Sequence, residues 1–196
     1  MRRWPFLRRR SGRWFTLLDA GPEDLARVNA AIARHHRRLP DRLLAALRAL
    51  DRVDLGFPVS QQTHMRQAAT RAARANAGDE WVLAALLHDA AKVLAYPNHA
   101  EIGAALLAPY VSGEVHAVLR HHQIFQARFT AAPGSPAALE CERFRGQPWF
   151  EAALRFSGEW DAPAFEPGYA ALPLAEFEPL LRERLRRPRF PDAPAP

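Results

Sequence analysis

The sequence predicts an all-α domain, and three features of the chain predict it. Apolar residues recur at the three- and four-residue spacing of helix faces, while the period-two alternation of half-buried strands is nearly absent. Prolines are frequent and are expected at the ends of elements. No internal repeat is present. At 196 residues with 48% hydrophobic side chains, the chain can form one domain with a full-sized core.

The elements follow in order. Residues 1–19 are expected as a basic N-terminal extension, 20–187 as the folded domain and 188–196 as a proline-rich tail. Pro22-Glu23-Asp24 opens a helix to about His36, because proline suits the first helical position and acids suit the positive end of the dipole. Pro40 or Asp41 starts another through Leu43, Leu44, Leu47 and Leu50. Gly56-Phe57-Pro58-Val59 breaks it, and Ser60 is placed to cap a helix to about Ala77. Gly78-Asp79 turns the chain into a strongly apolar helix, Trp81–Tyr96. Pro97 ends that helix, and Asn98 is placed to cap the next, His99–Leu107. Ser112 caps a helix from Glu114 to about Phe129, and TAAPGSPA (130–137) is the clearest loop. Helices from about Ala138, Pro148 and Pro173 complete the chain, the last two separated by a loop at Pro163, Pro167 and Gly168.

Composition narrows the function classes. A single cysteine, Cys141, excludes an intrachain disulfide framework and a multi-thiolate zinc site. No apolar run reaches the ~20 residues of a membrane span. The apolar stretches near the N-terminus are too short for a signal-peptide core, so the cytoplasm is the expected compartment. The net charge of +6 is unevenly spread. It gathers in MRRWPFLRRRSGR, at Arg34, Arg37 and Arg38, and in RERLRRPR (182–189). Solvated faces and tails are the expected reading; a basic tail touching RNA, DNA or anionic lipid is the alternative.

The residues that point to chemistry lie in WVLAALLHDAAKVLAY (81–96). Apolar residues surround this helix, and only His88, Asp89 and Lys92 interrupt it. Burying ionisable groups costs several kcal/mol each unless they are paired or bind a metal. A His-Asp dipeptide is weak evidence by itself, since this composition produces one by chance often enough. Its companions matter more. His64 lies on the preceding helix, where a helical hairpin brings it to His88. His99 begins the next helix, His121 and His122 lie within the one after, and Asp161 ends a later helix before a proline loop. Imidazole and carboxylate donors without thiolates suit iron, manganese or zinc. Neighbours on a helix point about 100° apart, so His88 can face one ion while Asp89 bridges to a second. Six candidates, His64, His88, Asp89, His99, His122 and Asp161, allow a dinuclear site; His64, His88, Asp89 and Asp161 alone allow a mononuclear one. Lys92 is otherwise an ordinary snorkelling lysine, and His35, His36 and His116 read as surface residues.

The order His64, His88-Asp89, Asp161 resembles the HD-domain superfamily of metal-dependent enzymes. The added His99 and His122 resemble its dinuclear branch, which includes myo-inositol oxygenase and the mixed-valence diiron oxygenases that cleave organophosphonates. PNHAEIGAALLAPYVS (97–112), HHQIFQ (121–126) and ALPLAEFEPLLRERL (171–185) are similar to bacterial predicted HD phosphohydrolases related to those oxygenases. The resemblance covers roughly residues 20–187. It implies the six candidates as ligands of two iron ions, with manganese, zinc or another divalent metal as substitutes, and Asp89 as the bridge. It implies Lys92 as a substrate-contacting and catalytic group, with His121, Gln126 and Arg128 on the substrate side. Gln126 stands where phosphonate oxygenases carry a lysine, and Asp54 and Phe57 stand where they carry lid residues; both differences count against a phosphonate. Gln123 replaces a glycine of the nearest motif. Three functions are therefore expected in order: a diiron oxygenase using dioxygen on a small hydroxylated substrate; a phosphohydrolase of a nucleotide or phosphoester; and a degenerate domain whose basic N-terminus binds nucleic acid.

Overall fold

The computed structural model describes residues 16–186 and Pro188. The arginine-rich stretch 1–15 and the tail from residue 189 lie outside the described residues. Among those described there is no strand, as an all-α chain requires. By internal contact the chain divides into two compact units, with the boundary between Leu39 and Pro40.

The first unit holds a 3-10 turn, Leu17–Asp19, and helix α1, Pro22–His36. Pro22 takes the first helical position, and the Asp24 carboxylate accepts a hydrogen bond from the Gly21 N–H at 3.1 Å. None of the residues of α1 is buried.

The second unit carries the core. It comprises α2 (Leu39–Ala49, beginning at the boundary), α3 (Gln61–Arg74), α4 (Asp79–Leu87), α5 (His99–Leu107) and α6 (Gly113–Thr130). The short α7 (Pro136–Leu139), α8 (Phe150–Arg155) and α9 (Leu174–Arg184) follow. Ser60 and Ser112 cap α3 and α6 with their hydroxyls, as expected. Asn98 occupies the cap position of α5, yet its side chain makes no capping bond.

Two helical hairpins form the centre. Along α3, Met65, Ala68, Ala69 and Ala72 fall on one face and are fully buried, so small side chains let α3 lie close against α4. The run Val82–Leu87 is buried on every side of α4, as its apolar sequence demands. α5 packs on α6 in the same antiparallel manner. The buried leucines of α2 and the buried Phe177 and Leu181 of α9 complete the core.

Two expectations are corrected: Pro179 lies inside α9 and not at an element end, and one expected helix is divided. The apolar helix was to run from Trp81 to Tyr96, but α4 ends at Leu87 and a 3-10 turn spans Ala90–Val93. The break falls at the His-Asp pair. His88 Nδ1 donates to the Ala85 carbonyl at 2.9 Å, and Asp89 leaves the helical region at φ −102°, ψ 2°. The carbonyl of His88 faces Gly103 of α5, where an added Cβ would lie 3.1 Å away. Apolar composition conceals such a break, because buried turns and buried helices draw on the same residues.

Candidate functional site

Six side chains from five elements converge at this break. His64 comes from α3, His88 and Asp89 from the end of α4, His99 from the first turn of α5, and His122 from the middle of α6. Asp161 comes from the π-helical turn Phe156–Asp161 that continues α8. All six residues are at least 98% buried.

Each imidazole is held from behind. The Nδ1 atoms of His64, His88, His99 and His122 lie 3.1, 2.9, 2.6 and 2.7 Å from the carbonyls of Ala164, Ala85, Tyr96 and Leu119. A carbonyl only accepts, so every Nδ1 carries the proton and every Nε2 is turned inward as a free donor atom. This is the arrangement that orients metal-binding histidines.

The inward atoms form two groups. His64 Nε2 and His88 Nε2 lie 3.1 Å apart, and Asp161 Oδ1 lies 3.2 Å from the first and 3.4 Å from the second. His99 Nε2 and His122 Nε2 lie 3.3 Å apart. Asp89 stands between the groups. Its Oδ2 is 3.4 Å from His64 and 3.3 Å from His88, while its Oδ1 is 2.8 Å from His99 and 3.4 Å from His122. Asp89 Oδ1 and Asp161 Oδ2 are buried and receive no hydrogen bond. Inward lone pairs at these separations repel one another unless a cation lies among them. The donor set fits bound metal: it offers nitrogen and oxygen only, it includes orphaned buried oxygens, and the donor atoms of His64, His88 and Asp161, and those of His88, Asp89 and His122, lie within 4.8 Å of one another.

Protons are the alternative cations. Burial disfavours the charged form of His88, but Asp89 and Asp161 outweigh it and raise the pKa to about 10. His64 moves up as well, with burial opposing and Asp161 and Asp89 prevailing. Asp161 and Asp89 are pushed down against the cost of burial, in both cases chiefly by His88. Metal binding must therefore displace protons from the same positions.

Residues 62–154 match the HD domain family. The match supports the HD-domain superfamily. It takes in His64, His88, Asp89, His99 and His122, and Asp161 follows seven residues beyond its end. A search of curated proteins finds no match.

The remaining candidates fall into different places. Lys92 reaches the site: its Nζ donates to Asp89 Oδ2 at 2.5 Å and to Gln61 Oε1 at 3.0 Å. It is the only lysine in the chain, against 26 arginines, a signal that was legible in the sequence. Gln126 also reaches the site, but its amide donates to Asp161 Oδ1 at 3.1 Å, so it holds a donor group. His121 does not face the cluster. It is one residue from His122 and so points about 100° away, into a stack with Phe144 and Trp149. Arg128 is 40% exposed at the side chain and faces Glu142 near the end of α6.

Several contacts have no signature in the sequence. Gln61 is buried one turn before His64 and fixes Lys92. Phe165 stacks on the His64 ring with centroids 4.0 Å apart, and Phe57 stacks on Phe165 in turn. The segment after Asp161 is clamped to α3: Gln67 donates to the Glu166 carbonyl, Arg71 to that of Pro163 and Arg66 to that of Leu172. Those bonds hold the Ala164 carbonyl behind His64. A surface groove lies elsewhere, between α3, α4 and α9 around Asn76, Asp79 and Phe177.

Proposed function

We propose that this protein is a dinuclear metalloenzyme of the HD superfamily, and that it oxidises a small hydroxylated substrate with dioxygen. The observation that carries the reading is the division of the Asp89 carboxylate between two pairs of histidines. In this reading His64, His88, Asp161 and Asp89 would hold one ion, and His99, His122 and the same Asp89 would hold the other. When bound, two iron ions supply Lewis acidity and one-electron redox chemistry.

The protein's own residues do the rest. The four carbonyls fix the imidazole tautomers, Gln126 steadies Asp161, and the buried surroundings exclude bulk water. Lys92 sits where a substrate hydroxyl beside Asp89 meets a positive charge. No arginine contacts the six donor groups among the described residues, which favours a weakly charged hydroxylated molecule over a phosphoester. The test is dioxygen consumption by the iron-loaded protein across vicinal and α-hydroxylated compounds. Uptake that is lost in His122→Ala supports the proposal. Stoichiometric zinc in the isolated protein and no uptake across the panel would count decisively against it.

A second reading has its own support. The HD superfamily consists mostly of metal-dependent phosphohydrolases. On that reading Lys92 neutralises charge on the phosphoryl group being transferred. Phosphate release from a nucleotide panel, abolished in His88→Ala and Asp89→Ala, would select it. The convergence of all six donors argues against a degenerate domain.

A further inference from the structure

Lys92 apart, the lysine and arginine charge of the chain makes no ion pair with the six donor groups among the described residues. Residues 1–39 contain ten arginines against three acids, whereas residues 40–196 are close to neutral, with 17 basic and 18 acidic side chains. The first unit therefore holds the entire net excess. Among the described residues the arginines near the C-terminus are engaged: Arg182 pairs with Asp41 and Glu178, Arg184 with Asp79, and Arg186 with Glu183. Among the described residues, Arg34, Arg37 and Arg38 make no ion pair.

The same unit carries exposed apolar side chains. Leu17 is 72% and Leu18 97% exposed in the 3-10 turn, and Leu25 and Ile32 are 43% and 60% exposed on α1. Leu25, Val28 and Ile32 are spaced to share one face of the helix. Arg34, His35, His36, Arg37 and Arg38 follow at its C-terminal end. The preceding residues interleave six arginines with Trp4, Phe6, Trp14 and Phe15.

We propose that residues 16–38 dock this protein on the surface of an anionic bilayer. Charge alone would serve nucleic acid equally well. The exposed leucines and isoleucine decide between them, because a phosphate backbone gives them no apolar phase, whereas the headgroup–acyl boundary accepts both kinds of side chain. Docking of this kind is peripheral; no helix among the described residues is long and apolar enough to cross a membrane.

The experiment is cosedimentation of the full-length, metal-loaded protein with vesicles. Binding is expected to vesicles of mixed phosphatidylserine and phosphatidylcholine and not to phosphatidylcholine alone. Leu18→Asp with Ile32→Asp, and separately Arg34→Gln with Arg37→Gln and Arg38→Gln, should each weaken binding about tenfold or more. Metal content and thermal midpoint should stay unchanged, since none of these side chains is buried. Failure to sediment with anionic vesicles, or equal sedimentation with neutral ones, overturns the proposal. So does retention of vesicle binding by the double aspartate variant together with arginine-dependent retardation of single-stranded RNA, which assigns the patch to nucleic acid. A shift from dimer to monomer in the aspartate variant, without vesicle binding by the parent, assigns the face to a second copy of the chain and also overturns it.

Discussion

Asp89 Oδ1 lies 2.8 Å from His99 Nε2, although the two residues belong to different helical segments separated by a chain reversal. The approach depends on the end of α4 at Leu87. A continuous helix to Tyr96 would carry the chain about two turns, ~10 Å, beyond Asp89 before it could reverse toward His99. The break in the helix thus joins the two halves of the site.

Asp89→Asn should abolish one of the two metal positions. An amide keeps a single oxygen and turns an N–H₂ donor toward the other imidazole pair, where a lone pair is needed. Metal analysis is expected to fall from two ions per chain toward one. Retention of two ions in the variant would remove Asp89 from the bridge.

The two positions should load unequally. One group offers two imidazoles and oxygens from two carboxylates, the other two imidazoles and one shared oxygen. Calorimetric titration of apo-protein should resolve a tighter and a weaker event. His122→Ala should erase the weaker and spare the tighter, and Asp161→Ala should weaken the tighter by about 10–100-fold. A single event unaffected by His122→Ala would contradict the assignment.

Loading should release protons. The pKa of His88 is raised from 6.5 to about 10 by Asp89 and Asp161 acting against burial, so at pH 8 the apo-protein holds a proton there. A ligating imidazole must give that proton up, and apparent affinity should therefore climb as pH rises toward 10. Titrations in buffers of different ionisation enthalpy measure the number released. Zero protons released at pH 8 would refute the coupling.

Gly103→Ala tests the packing that sets the distance between the halves. Its Cβ would meet the His88 carbonyl at 3.1 Å, and α5 must move by a few tenths of an ångström to relieve it. A loss of about 1–3 kcal/mol in stability is expected, together with weaker binding at the His99–His122 position. The same substitution at exposed Gly113, where an added Cβ meets nothing within 4 Å, is the control.

The sequence was most readable where chemistry repeats along helices. The bounds of α1 and α5, the serine caps of α3 and α6, and the succession of six buried donors follow from local residue choice. His121 and His122 were also separable in principle, since adjacent helical positions cannot share a direction. The break after Leu87 was hidden because Ala90 and Ala91 are as apolar as the helix they follow. The roles of Gln61, Gln126 and Phe165 were hidden for another reason. They depend on contacts such as Phe165 on His64, across about a hundred residues, that no local pattern encodes. Lys92 was marked by the family resemblance, yet its uniqueness in an arginine-rich chain is a signal in the residues themselves.

The most direct measurement is the metal content of anaerobically purified protein, combined with paramagnetic resonance after partial reduction. The account predicts two ions per chain and the signal of a coupled, mixed-valent iron pair. One ion per chain, or two that show no coupling in any redox state, would contradict it.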